Sequence, residues 1–364
     1  MKSSLYVNPQ LVIESGQTPQ GMITWQSPSN LALIKYWGKY GQQMPRNPSI
    51  SLTLEQAYTQ MTLEWGPKDG TDKTIELELF FQQMRHEGFE EELKLRMQKL
   101  LEMFPFLYQM RLIVDTFNSF PHSAGIASSA SSMSALALCL CSLEDELFGT
   151  LSDDVEFERK ASYAARLLSG SACRSIYGSA ALWGETPGVP DSSDLYAIPM
   201  ESKIHNVFKS FHNAILIVSQ DEKSVSSSAG HQLMQDHPFA EARYQQAKQR
   251  LHQILGSLES GEIDRVGDII EHEALTLHAL MMQSNPSYIL MEPATLTLIR
   301  KIRQYRKDTG IPAYFSLDAG PNIHLLYPDD KHEQVTDFIV TELVPHCQDG
   351  VYISDKVGEG PVQM

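Results

Sequence analysis

Phe120-Pro121-His122-Ser123-Ala124-Gly125-Ile126-Ala127-Ser128-Ser129-Ala130 opens a run rich in small and apolar residues that reaches Leu147. Small residues let a backbone approach a neighbouring group closely. A helix predicted over 128–147 starts with unpaired N–H donors and the positive end of its dipole, and the serines add hydroxyl donors. The composition suits a phosphate cradle, and equally a helix packed tightly through small side chains. It is neither a Walker loop, since Gly-Lys-Ser is absent, nor a Gly-x-Gly-x-x-Gly turn.

Upstream of this helix, residues 22–25, 50–54, 60–65, 74–80 and 110–116 alternate or are β-branched between Gly, Pro and Asp, which predicts strands. Helical periodicity over 90–103 stops at Phe104-Pro105, and a further helix over 153–168 has Ser152 or Asp153 as its N-cap. Beyond a strand at 213–219 come helices over 226–235, 239–258, 263–282 and 292–307. Strands at 313–317 and 323–327, a helix near 331–343 and a strand at 351–354 finish the chain. Strands and helices do not alternate regularly, so the class is α+β. A seam near 199–211 separates a strand-rich half from a helix-rich half, and no low-complexity linker parts them. Two closely packed lobes are expected.

Three more segments carry candidate chemistry. Ser169-Gly170-Ser171-Ala172-Cys173-Arg174-Ser175 is a small-residue turn ending in an arginine, suited to a carboxylate or phosphate or simply to the surface. Ser316-Leu317-Asp318-Ala319-Gly320-Pro321-Asn322 has the composition of a tight turn, and also places a carboxylate at a strand end, where a general base can sit. Ser29-Asn30-Leu31-Ala32-Leu33-Ile34-Lys35-Tyr36-Trp37-Gly38-Lys39 sets two lysines among apolar and aromatic residues. They either face a fixed anion or snorkel from an exposed helix.

Composition narrows the classes. With 29 basic and 45 acidic residues in 364, the net charge of −16 disfavours nucleic acid and anionic membranes as partners, yet a cleft can still gather a few cations for a small phosphorylated ligand. No apolar run approaches the roughly 18–20 residues that span a bilayer. The N-terminal segment lacks a signal-peptide core. Four cysteines make no disulfide framework, and a reduced cytoplasm is expected. Glu271-His272-Glu273 with His278 lacks the spacing of a helical zinc site, and exposed helix histidines are the expectation there.

Taken together and in order, the segments 30–39, 121–130, 169–175 and 318–322 resemble the diphosphomevalonate decarboxylases of the GHMP kinase superfamily. The similarity also touches Asn47-Pro48-Ser49-Ile50-Ser51, Lys223-Ser224-Val225-Ser226-Ser227 and Val357-Gly358-Glu359-Gly360-Pro361, and spans about 21–361. Departures stand at His122, Pro48, Tyr40-Gly41, Ser131-Ser132 and Leu168; none removes a group to which the resemblance gives a role.

The resemblance implies a two-lobed fold, with an N-terminal lobe like ribosomal protein S5 over 1–203 and a ferredoxin-like C-terminal lobe over 204–364, the active site lying between them. It implies ATP- and Mg²⁺-dependent decarboxylation of mevalonate 5-diphosphate. Asp318 is then the general base, Arg174 the anion-holding arginine and Lys35 the compensating charge. Tyr36, Lys39, Ser169 and Ser171 bind substrate, and Ser123, Gly125, Ser128, Ser129 and Lys223 bind ATP. Mg²⁺ is held mainly by the ATP phosphates, with no side-chain ligand assigned. A homodimer is expected. The alternatives are a mevalonate 5-phosphate decarboxylase, a mevalonate 3-kinase, or an inactive GHMP-fold binding protein.

Overall fold

Strand β1 (Gly21–Ala32) runs antiparallel to a small hairpin's neighbour in sequence. That hairpin, β2 (Lys39–Tyr40) with β3 (Met44–Pro45), leads into β4 (Ser49–Pro67), which pairs with almost the whole length of β1. The computed structural model describes residues 5–14, 18–70, 72–121, 126–221 and 227–364. Strand β5 (Glu76–Phe81) forms a short hairpin with β6 (Met84–Arg85) and, beyond helix α1 (Glu87–Met97), lies parallel to β7 (Met110–Asn118). Helices α2 (Ser128–Phe148) and α3 (Asp154–Leu168) follow, then β8 (Ala180–Trp183) and β9 (Ala197–Pro199).

The second lobe holds α4 (Asn206–Lys209), β10 (His212–Leu216), α5 (Ser227–Leu233), α6 (Ala240–Ser260), α7 (Ile263–Met282) and α8 (Pro293–Thr309). It continues through β11 (Tyr314–Ser316), β12 (Ile323–Tyr327), α9 (His332–Phe338) and β13 (Tyr352–Lys356). The last strand, β14 (Val362–Gln363), returns to the edge of β1. One eight-stranded sheet follows the order β14-β1-β4-β7-β5-β6, with β8 and β9 extending from β4; a four-stranded antiparallel sheet has the order β11-β12-β10-β13. The α+β, two-lobed architecture matches the expectation.

Helix α2 is buried over most of its circumference, from Ala135 to Leu143, because it lies against the first sheet with α3 beside it. Asp153 caps α3 as predicted, its carboxylate accepting from the Glu156 N–H at 2.9 Å. Elsewhere the elements differ from expectation. Strand β1 runs on past the expected end at residue 25 through the polar, proline-containing stretch Gln26-Ser27-Pro28-Ser29-Asn30. A register shift between Pro28 and Asn30 absorbs the proline, as a bulge does. The polar side chains stay buried because each is bonded: Ser27 to Ser134 at 2.6 Å, Ser29 to the Ile126 carbonyl at 2.5 Å and Asn30 to Ser175 at 2.8 Å. The strands predicted at 50–54 and 60–65 are one, β4. Helix α1 starts earlier than expected, capped by His86, whose Nδ1 accepts from the Phe89 N–H at 3.1 Å.

The lobes are sewn together by Asp355 on β13. Its buried carboxylate accepts from the N–H groups of Glu55 (2.9 Å), Gln56 (2.8 Å) and Ala57 (2.8 Å) in β4. These donors lie opposite the β1 irregularity, where β4 has no continuous partner, so the aspartate replaces a missing strand.

Candidate active site

A cleft of about 510 Å³ opens between the lobes, lined by residues from all four segments singled out in the sequence. Lys35 follows directly on β1 and is 2% exposed, which excludes a snorkelling surface lysine. Its ammonium donates to Asp318 Oδ1 at 2.8 Å and to Ser316 Oγ at 3.0 Å. Asp318 stands in the turn between β11 and β12, where Gly320 N–H bonds its carbonyl at 2.8 Å. The turn composition and a carboxylate at a strand end therefore coexist. An ammonium this close favours the ionised carboxylate, the form a general base needs.

Arg174, 1% exposed, lines the same cleft from a 3-10 turn over Gly170–Ile176. Its guanidinium donates to neutral groups: Ser49 Oγ at 2.6 Å, Ser51 Oγ at 3.1 Å and Asn30 Oδ1 at 3.3 Å. No carboxylate pairs with it among the described residues. Burial accordingly lowers its pKa from the usual arginine range, with the Asp318 charge opposing that shift. A buried cation held by neutral groups is costly unless an anion arrives.

Tyr36 packs against Trp183 and His231 with ring centroids 4.7 and 4.3 Å away. Its buried hydroxyl has no hydrogen-bond partner among the described residues. Burial pushes its pKa up, so it remains a neutral donor. Ser169 and Ser171 line the cleft, and Gly170 between them is required there: a Cβ would stand 2.8 Å from the Tyr36 hydroxyl. Lys39 bonds Gln43 Oε1 at 3.0 Å. Desolvation, reinforced by the charges of Lys99 and Arg96, lowers its pKa from the ordinary lysine range.

Ser129 lines the cleft at the start of α2, and Ser128 faces an adjoining cavity of about 290 Å³. Helix α2 begins on Ala127 in the left-handed region (φ 49°) without a side-chain cap. Strain of this kind in a non-glycine residue gathers at functional sites. Ser123, Gly125 and Lys223 lie outside the described residues.

Sequence reasoning missed several wall residues. Arg96 and Lys99, from the end of α1 and the turn after it, join Lys39. Basic residues in a last helical turn are ordinary dipole partners, so nothing in the sequence distinguished them. His231 accepts from the Gly38 N–H through Nδ1 at 2.9 Å, and burial lowers its pKa to about 3, leaving it neutral. His278, expected to be exposed, is buried, and its Nε2 lies 3.1 Å from the Asp318 carbonyl oxygen. Glu271 pairs instead with Arg303 and Arg306, and His272 stays exposed. No group of three metal-ligating side chains occurs among the described residues.

Residues 27–195 match the diphosphomevalonate decarboxylase-like N-terminal domain, and residues 213–361 the mevalonate 5-diphosphate decarboxylase C-terminal domain. Diphosphomevalonate decarboxylase of Ganoderma lucidum is 28% identical over 344 residues, covering 87% of this chain and 81% of its own. That of Candida albicans is 28% identical over 319 residues, covering 85% of each. The crystal structure of mevalonate diphosphate decarboxylase from Staphylococcus aureus superposes with a TM-score of 0.80 at 25% identity, covering 95% of this chain and 98% of that one. A complex of MDDEF with MVAPP, AMPPCP and magnesium gives 0.78 at 26% identity, covering 95% and 99%. The fold is thus the two-lobed GHMP fold, and the chain belongs to the diphosphomevalonate decarboxylase family.

Proposed function

We propose that this chain catalyses the ATP-dependent decarboxylation of mevalonate 5-diphosphate to isopentenyl diphosphate, ADP, phosphate and CO₂. The observation that carries this reading is the Lys35–Asp318 pair beside Arg174, a buried cation with only neutral partners among the described residues, in one cleft. Asp318 takes the proton of the substrate's 3-hydroxyl as that oxygen attacks the γ-phosphorus of ATP. ADP is released, and the 3-phosphate so formed leaves C3 as inorganic phosphate, taking the C–O bonding electrons. The C–C bond to the carboxylate then breaks, its electron pair forming the alkene as CO₂ departs.

Arg174 binds the carboxylate or a phosphate through its fork, and Lys35 keeps Asp318 ionised. The Tyr36 hydroxyl, Ser169 and Ser171 bond substrate oxygens. Lys39, Arg96 and Lys99 form a three-cation wall for the terminal phosphate. Ser128 and Ser129 receive ATP phosphates at the start of α2, as the notched αL entry allows; Ser123, Gly125 and Lys223 are assigned to the same task. The adjoining cavity, walled by Met61, Leu79, Phe81, Phe89 and Met133, suits the apolar faces of adenine.

Ser128 and Ser129 at the start of α2 offer hydroxyls of the kind that would complete the shell of Mg²⁺, an ion commonly held by substrate phosphates, waters and one or two protein ligands. When bound it supplies neutralisation of the phosphate charge. We further assign the lobes to 1–203 and 204–364, a cytoplasmic location and a homodimer, on family resemblance; no helix among the described residues is long and apolar enough to cross a membrane.

The test offers purified protein ATP with mevalonate, mevalonate 5-phosphate or mevalonate 5-diphosphate and follows ADP and CO₂. The diphosphate is expected to give the highest kcat/KM for both products. Preference for the monophosphate, or phosphorylation of mevalonate without CO₂, would overturn the assignment in favour of a sister activity.

A further inference from the structure

Helix α7 touches both members of the catalytic pair, although neither belongs to it. Glu273, fully buried, accepts the main-chain N–H of Lys35 through Oε2 at 2.9 Å. The same carboxylate takes the Arg243 fork at 2.7 and 2.6 Å and Arg250 at 2.7 Å, so both its oxygens are engaged. Arg243 then reaches the Lys35 carbonyl at 3.1 Å, so the peptide groups on either side of Lys35 are gripped by α6 and α7. Further along α7, His278 Nε2 lies 3.1 Å from the carbonyl oxygen of Asp318, an arrangement in which the ring N–H donates. The helix itself is fixed to β11. Gly267 admits the Tyr314 ring where a Cβ would come within 2.2 Å, and the Tyr314 hydroxyl donates to Asp264 at 2.8 Å.

We propose that α7 is the common mount of the catalytic pair, with Glu273 and His278 as positioning residues that set the Lys35-to-Asp318 distance across the two lobes. This rests on the roles given above to Lys35 and Asp318. Burial alone would raise the Glu273 pKa, but the Arg243 charge and the guanidinium bonds hold it below the usual carboxylate value, so the clamp stays ionised. Buried ion pairs contribute little net stability against apolar replacements and are better suited to fixing a geometry. Here the geometry fixed is the main chain on either side of a catalytic side chain, where a displacement of about 1 Å can cost on the order of 100-fold in rate.

The experiment compares Glu273→Gln, His278→Leu and His278→Gln, each confirmed as folded by circular dichroism. Glu273→Gln and His278→Leu are expected to lower kcat for CO₂ release about 10- to 100-fold, with KM for ATP and substrate changed by less than about threefold. His278→Gln retains an N–H at similar reach and is expected to keep most of the rate. In a Lys35→Met background, Glu273→Gln should add no further loss, because its action passes through Lys35. An unchanged kcat in the two disruptive variants would overturn the mount, and so would an undiminished Glu273 effect without Lys35. If Glu273→Gln does not fold, the His278 comparison decides. Crystal structures of the variants separate this from the assigned reaction. Should the wild type release no CO₂, the reaction falls, while a Lys35-to-Asp318 separation beyond hydrogen-bond reach in the variants still supports the mount and an unchanged one refutes it.

Discussion

Asp318 and Lys35 hold opposite charges 2.8 Å apart, and the proton transfer assigned to Asp318 depends on the carboxylate being free to accept. Asp318→Asn keeps the shape but not the basicity. Turnover is expected to fall by at least about 1,000-fold, while ATP affinity measured by nucleotide titration changes little. Turnover within a few-fold of wild type would show that another group is the base. Arg174 is bonded through Nε, Nη1 and Nη2 to three different side chains, a geometry an ammonium cannot copy. Arg174→Lys is expected to cost about 100-fold or more in kcat/KM; steady-state kinetics with unchanged parameters would contradict its role. Lys39 binds anions only while protonated, and desolvation together with Lys99 and Arg96 lowers its pKa from 10.5. It therefore loses its proton at lower pH than an ordinary lysine, and KM for the diphosphate should begin to rise on the alkaline side below pH 10.5. In Lys39→Met that rise should be absent; an identical alkaline profile in both proteins would remove Lys39 from the site.

At the scale of elements, the chain's chemistry was legible where one short segment carries it. The turn holding Asp318, the turn holding Arg174 and the stretch holding Lys35 each display their functional side chain beside the residues that shape its backbone. Arg96, Lys99 and His231 were hidden because each lies in or just beyond an ordinary helix, and only tertiary packing brings them to the cleft. His278 was visible in a motif but expected to be exposed, since helix periodicity does not say which partner covers a face, and Glu273 beside it was weighed only as a metal ligand. The long reach of β1 was hidden by polar residues that break the apolar alternation but bond across layers to Ser134, Ile126 and Ser175. Asp355 belongs to the same class of concealed residue, a carboxylate serving three main-chain donors of another lobe. Asp355→Ala leaves three main-chain donors without their acceptor, that of Ala57 buried, and is expected to lower unfolding free energy by roughly 2–4 kcal/mol. Urea denaturation showing a loss below about 0.5 kcal/mol, within the range of neutral surface changes, would mean that water or other groups replace it.

For the whole molecule, the net charge of −16 and the anionic ligands assigned to it are compatible because the charges are not spread evenly. Lys35, Lys39, Arg96, Lys99 and Arg174 converge on one cleft between the lobes, whereas acidic residues such as Asp145, Glu146, Asp154 and Glu359 face a different cavity. The lobes must stay in register for this, since Lys35 comes with the first and Asp318 with the second. The coupling of phosphoryl transfer to decarboxylation is therefore a property of the assembled molecule rather than of either lobe. Its most direct test is the stoichiometry of ADP and CO₂ formed from mevalonate 5-diphosphate and ATP. One CO₂ released for each ADP is the predicted result, with both products lost together in Asp318→Asn. ADP accumulating without CO₂, or CO₂ release that survives in Asp318→Asn, would contradict the account.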